Sequence, residues 1–200
     1  MDNQVENTEL EKTQKKKYFQ KFKVRDIVFL AIVSAIGLVT CAVMPLVIPY
    51  LTVIFGIAQL VTGLQLSLFY AIGLAKVRKP GSLFIMTIFT GLMQLAMSPP
   101  MFFTTMITGI VAELLVGLIF RGYEKNAACW FGAMIVMPLT LPFNYLYNLW
   151  FGKKALAAVA SRSVGLTIGM TCAVIAVSAL GAWLGLKIFK ELQKSGALKK

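Results

Sequence analysis

The chain has 200 residues, 58% of them hydrophobic and 14% charged, and a mean hydropathy of +0.77, where soluble chains run at about 45–50% apolar; a soluble enzyme is excluded. The absence of histidine and the wide spacing of Cys41, Cys129 and Cys172 exclude His-ligated zinc, Ser-His-Asp and Cys-His catalysis and a Cys-x-x-Cys pair. No catalytic residue, metal or cofactor is expected, and the net charge of +12 lies in tails and turns beside apolar runs, which points to membrane topology and away from nucleic acid.

A helix crossing about 30 Å of hydrocarbon needs roughly 20 mainly apolar residues. Residues 1–26 form a polar, lysine-rich tail, too long and too charged for a signal-peptide n-region. No small-x-small cleavage site follows, so the first helix is expected to be retained. Six apolar runs then follow, at 27–44, 52–75, 82–98, 101–120, 128–149 and 164–186. They predict an all-α integral membrane domain over 27–186 and a basic tail over 187–200. The third run must stop before Ser98-Pro99-Pro100, where two prolines lack backbone donors and are expected to fix an extended turn. Short turns between runs predict sequential antiparallel neighbours in one bundle.

Six spans place both termini on one side. That side carries 17 Lys and Arg residues, in the N-tail, at Lys76, Arg78 and Lys79, at Arg121 and Lys125, and from Lys187 onward. The other side has three, Lys153, Lys154 and Arg162, so the positive-inside rule predicts cytoplasmic termini.

Along the runs, several residues break the apolar pattern. Ala31 and Ala35 sit four apart near the start of the first helix, a spacing that permits close helix approach either inside the bundle or to an external partner. Gln59 and Gln65 in the second run, and Gln94 and Ser98 in the third, read as helix–helix hydrogen bonds or as weaker ligand contacts. Glu113 is the only acid within the spans and should face protein or a water-filled cavity. Gly109 and Gly117, four residues to either side, are expected to admit a neighbouring backbone. Three roles stay open for Glu113: an interhelical hydrogen bond, a substrate or ion ligand, or coupling to a partner. Gly165/Gly169 and Gly181/Gly185 repeat the small-residue spacing in the last helix.

The fifth run carries Pro138 and Pro142, whose missing N–H groups are expected to kink the helix and free carbonyls that must be satisfied within the protein. Beyond them come Asn144, Tyr145, Tyr147, Asn148 and Trp150. Rings here fit an interfacial aromatic belt, but Asn144 and Asn148 share a helix face and fit a binding site better. With Phe102, Phe103 and Gln94, and with Lys153, Lys154 and Arg162 to attract a carboxylate or phosphate, they form the substrate-binding candidate at the outer ends of helices four to six. The cation excess there suits a neutral or anionic nutrient.

Three features together resemble a family. They are a six-helix chain of this size with both ends inside, the Ala31/Ala35 pair, and the turn Leu74-Ala75-Lys76-Val77-Arg78-Lys79-Pro80-Gly81, with its lead-in Phe22-Lys23-Val24-Arg25-Asp26. The turn is similar to the Ala-Lys-Val-x-Lys-Pro-Gly element of the MptD-like or Trep_Strep group of S components of energy-coupling factor (ECF) transporters. The resemblance implies a multi-pass protein of the bacterial cytoplasmic membrane that binds a vitamin-like micronutrient from outside. It implies association with a T component and two ATPase subunits, and toppling in the bilayer to deliver the solute. By that likeness Ala31 and Ala35 would meet the T component, and ATP would bind the partners. The chain itself has no Gly-x-x-x-x-Gly-Lys-Ser/Thr loop. The competing reading is an independent secondary carrier or channel for a small organic solute, which calls for paired intramembrane charges, broken helices and a repeat between halves.

Overall fold

The computed structural model describes residues 22–41, 46, 48–50, 53–95, 99–150, 158 and 164–196; the expected site residues Lys153, Lys154 and Arg162, and Ser98, lie outside them. The described chain forms six α-helices: α1 (Val24–Thr40), α2 (Ile57–Val77), α3 (Ser82–Leu95), α4 (Pro99–Phe120), α5 (Asn126–Trp150) and α6 (Val164–Lys194), with a short 3-10 turn at Ile48–Tyr50. α2, α5, α6 and the Met101–Phe120 part of α4 are long and apolar enough to cross a membrane. α1 and α3 are shorter, at 17 and 14 residues. Large apolar side chains face outward along the long helices, among them Leu114 and Leu118 of α4 and Ile168 and Leu180 of α6. Such a surface is an aggregation hazard in water and is covered by acyl chains in a bilayer.

Sequential helices pack against each other throughout, and α2 is the central element, touching α1, α3, α5 and α6. Its approach to α6 depends on glycine. A methyl at Gly181 would collide with the Leu64 carbonyl, and one at Gly185 with the Leu68 carbonyl. Gly109 likewise lets α4 close on Thr87 of α3. At the other three glycines of the expected pairs the spacing marks no such contact: among the described residues, a Cβ at Gly117, Gly165 or Gly169 would meet nothing within 4 Å.

Pro99 and Pro100 also depart from the expected extended turn. They open α4, where the first-turn N–H groups would have no intrahelical partner in any case. α5 runs through both Pro138 and Pro142 without ending. The main core joins Leu30, Tyr70, Leu74, Leu83, Met86, Val116, Tyr123 and Val136 with small residues such as Ala112, Ala133 and Ala182. It fills the half of the bundle that holds the start of α1 and the end of α6, the basic end. A smaller cluster of Cys41, Leu66, Met137, Leu141 and Val174 occupies the other half. Cys41 and Cys129 are buried and Cys172 is exposed; all three are free thiols.

Hydroxyls tie the helices at mid-depth. Tyr70 donates to Thr90 Oγ1 at 3.0 Å, and Thr90 and Ser34 both donate to the Met86 carbonyl, at 2.9 and 3.4 Å. The Trp130 indole N–H reaches the Ala179 carbonyl at 3.1 Å and joins α5 to α6.

Candidate functional site

Two cavities flank α5 in the half of the bundle away from the basic end. The first, of about 350 Å³, lies between the turn before α2, the kink-prone part of α5, and α6, and is lined by Phe55, Pro138, Leu141, Pro142, Tyr145, Thr167 and Thr171. Its size is at the small end of ligand pockets, which span roughly 300–1,000 Å³. Gly56, at φ 84, turns the chain into α2 so that Phe55 reaches this wall, and a Cβ there would stand 3.1 Å from Leu141. The Phe55 and Tyr145 rings meet edge to face, with centroids 6.5 Å apart. Thr171 donates its hydroxyl proton to the Thr167 carbonyl at 2.8 Å. Pro142 has no N–H to offer the Pro138 carbonyl, so a backbone acceptor on the lined face of α5 loses its helical donor.

The second cavity, of about 410 Å³, is a groove between α4 and α5 lined by Phe103, Thr104, Ile107, Phe143, Leu146, Tyr147 and Trp150. Trp150 is 85% exposed and Phe103 56%, so the groove opens sideways toward lipid. Its wall is apolar, and the Thr104 hydroxyl is bonded to the Met101 carbonyl at 3.1 Å.

The expected single pocket is therefore divided. Tyr145 lines the first cavity, while Tyr147, Trp150 and Phe103 line the second. Residues two apart on a helix point about 200° from each other, which sends Tyr145 and Tyr147 to opposite faces of α5. Asn144 and Asn148 are half-buried and line neither cavity. Phe102 packs on Gly91 and against Phe103, with ring centroids 5.4 Å apart. Gln94 accepts a hydrogen bond from Thr105 Oγ1 at 2.6 Å and so joins α3 to α4. Gln65 Oε1 is buried with no hydrogen-bond partner among the described residues. Phe55, Thr167 and Thr171 carried no expectation from sequence. The four-residue spacing of the two threonines in an otherwise apolar helix was the available signal.

At the basic end, the Lys76–Gly81 turn is a hub. Arg78 ends α2 in the left-handed region, at φ 47. Its guanidinium donates to the carbonyls of Ala75 and Glu124, at 3.0 and 3.1 Å, and to Asn126 Oδ1 at 2.7 Å. Lys79 bonds Asp26 of α1 at 2.7 Å and stands 5.5 Å from the Phe22 ring centre. Gly81, at φ 91, turns the chain into α3 beside the same ring. Glu113 completes the hub: its carboxylate accepts from the Gly81 N–H at 2.6 Å, the Phe84 N–H at 3.2 Å and the Tyr123 hydroxyl at 3.1 Å. A carboxylate at a helix N-terminus satisfies donors that have no helical partner and meets the positive end of the helix dipole. Burial, followed by the nearby Glu113 charge, holds the Tyr123 phenol well above its ordinary pKa, so it stays a donor. Of the three roles open for Glu113, the geometry supports the interhelical bond.

Ala31 and Ala35 are half-buried on α1, beside the exposed Ile32 and Ile36. Among the described residues no group of acidic, cysteine or histidine side chains could hold a metal. A family profile described as "Hypothetical bacterial integral membrane protein (Trep_Strep)" matches residues 24–194. No curated protein and no solved structure matches the chain.

Proposed function

Since the chain belongs to the Trep_Strep family of bacterial integral membrane proteins, we propose that it is the solute-binding subunit of an importer whose energy comes from partner proteins. One observation carries this reading: Glu113, the only acid within the six apolar runs, is engaged by two backbone N–H groups and a tyrosine at the basic end. A carrier driven by an ion gradient needs a carboxylate that exchanges its partner as solute moves, and the six apolar runs hold no second one. The chain also lacks a phosphate-binding loop, so it is not the ATPase.

In the finer form of the proposal, the protein is an S component of an ECF transporter in the bacterial cytoplasmic membrane. The basic end faces the cytoplasm, in keeping with the charge bias. A vitamin-like solute enters from the opposite side, where the cavity beside Phe55 and Tyr145 is the binding site. α1 packs mainly on α2 and α3, which leaves the face near Ala31 and Ala35 for a T component. The test is purification of the tagged full chain from its native membrane. Two ATPase subunits should accompany it in wild type and be lost on Ala31→Leu/Ala35→Leu substitution. Solute uptake that continues at the wild-type rate after deletion of the ATPase genes would instead establish an independent carrier.

A further inference from the structure

Two groups on the wall of the Phe55–Tyr145 cavity offer lone pairs and no proton, beside the hydroxyls of Tyr145 and Thr167. The Thr171 hydroxyl has its proton committed to the Thr167 carbonyl at 2.8 Å, so its oxygen offers only lone pairs. The Pro138 carbonyl points along α5 at Pro142, which has no proton to give, and both prolines line the cavity. At this depth in a bilayer, a carbonyl without a helical donor is satisfied only by protein or by whatever occupies the adjoining space. The remaining wall is apolar and ring-bearing, with Phe55 and Tyr145 held edge to face at 6.5 Å. The groove on the other side of α5 differs in this respect, since neither proline lines it.

We infer that the Phe55–Tyr145 cavity takes a one- or two-ring solute that presents N–H or O–H donors to the Pro138 carbonyl and the Thr171 oxygen. The aromatic walls cover its faces, and the proline-bearing stretch of α5 reads its edge. This assignment rests on the binding-subunit reading above and adds the chemistry of the solute to it. It also gives the two prolines a role in recognition, because an alanine at 142 would restore the helical donor and close off the acceptor.

The experiment is equilibrium dialysis of the full chain in nanodiscs against a small-molecule fraction of yeast extract, with mass spectrometry of the retained compounds. Wild type should retain a ring-bearing compound with at least one N–H or O–H. Thr171→Val, which preserves shape and deletes the acceptor, should weaken that retention about tenfold. Pro142→Ala and Tyr145→Ala should weaken it as well, while Thr104→Val in the lipid-facing groove should not. A retained compound with no ring or no donor, retention indifferent to Thr171→Val and Tyr145→Ala, or no retention by wild type would each overturn the inference. Copurification of ATPase subunits is read on the same preparations, so a failed importer reading is seen separately from a failed solute assignment.

Discussion

At the basic end, three side chains of the hub reach into four neighbouring segments. Arg78 holds the α4–α5 turn and the start of α5, Lys79 holds α1, and Glu113 of α4 holds the start of α3 and the Tyr123 turn. At the opposite end, α5 carries two prolines, its flanks are hollow, and the cavity threonines Thr104 and Thr171 bond within their own helices. Polar residues are present at both ends, but at the basic end they form a hub that connects several elements, while at the opposite end Thr105 and Gln94 join α3 to α4 alone. On the binding-subunit reading proposed above, cohesion and recognition in this bundle are separated along the membrane normal. A substitution at the basic end should therefore register in stability, and one at the opposite end in binding.

The largest effect expected on that basis is at Glu113. Glu113→Ala strands two backbone donors and a phenol, and should lower resistance to SDS-induced unfolding by roughly 3 kcal/mol or more; Glu113→Gln, which keeps an acceptor, should cost less. Unfolding of the alanine variant at the wild-type SDS fraction would show that the hub is not what holds this end. Next comes a paired comparison along α6. Gly181→Val drives a side chain into the Leu64 backbone and should destabilise by about 1–3 kcal/mol, whereas Gly165→Val, with no described residue within 4 Å of the new Cβ, should be close to neutral. Equal losses at both positions would erase the distinction between the two halves.

Arg78→Lys should follow, at about 1 kcal/mol, because an ammonium cannot reproduce a guanidinium fork that serves three acceptors. Full retention of stability in the lysine variant would mean that only the charge matters. The smallest effect concerns pH. The hydrogen bond from Lys79 holds the Asp26 carboxyl below its ordinary value of 3.8. A carboxyl lowered by folding stabilises above its unfolded pKa, and that contribution fades as the pH falls through the folded value. Asp26→Asn should remove it, at a cost of under about 1 kcal/mol for a pair this near the surface, and should flatten stability between neutral and acid pH. An unchanged acid dependence in the variant would exclude the pair as its source.

The six helices were legible because apolar runs of span length admit few alternatives, and the placing of Glu113 against protein followed from the cost of a carboxylate in lipid. Its partners were not legible, since they are mostly backbone N–H groups, which no side-chain motif displays. The same limit hid the start of α4: proline's missing donor breaks a helix interior but is harmless in a first turn, and residue type alone does not distinguish the two settings. At the candidate site, ring content brought out Tyr145, Tyr147 and Trp150, but composition carries no azimuth and merged two faces of α5 into one pocket. Thr167 and Thr171 escaped notice because threonines that bond their own helix are common in membrane spans.

The length of α6 has a mechanical consequence. Thirty-one residues make a rod of about 46 Å, well over the hydrocarbon thickness of about 30 Å. Its last turns bring Lys187, Lys190 and Lys194, all exposed, onto one side of the helix, with Lys187 5.3 Å from the Trp183 ring centre. Each lysine near an anionic leaflet is worth about 1 kcal/mol, so the stripe acts as a keel that resists any rotation of the molecule out of its upright pose. On the importer reading proposed above, a delivery step that lays the bundle on its side would have to drag that keel through the headgroup layer, and a partner docked on α1 would have to supply a comparable attraction before the molecule could roll.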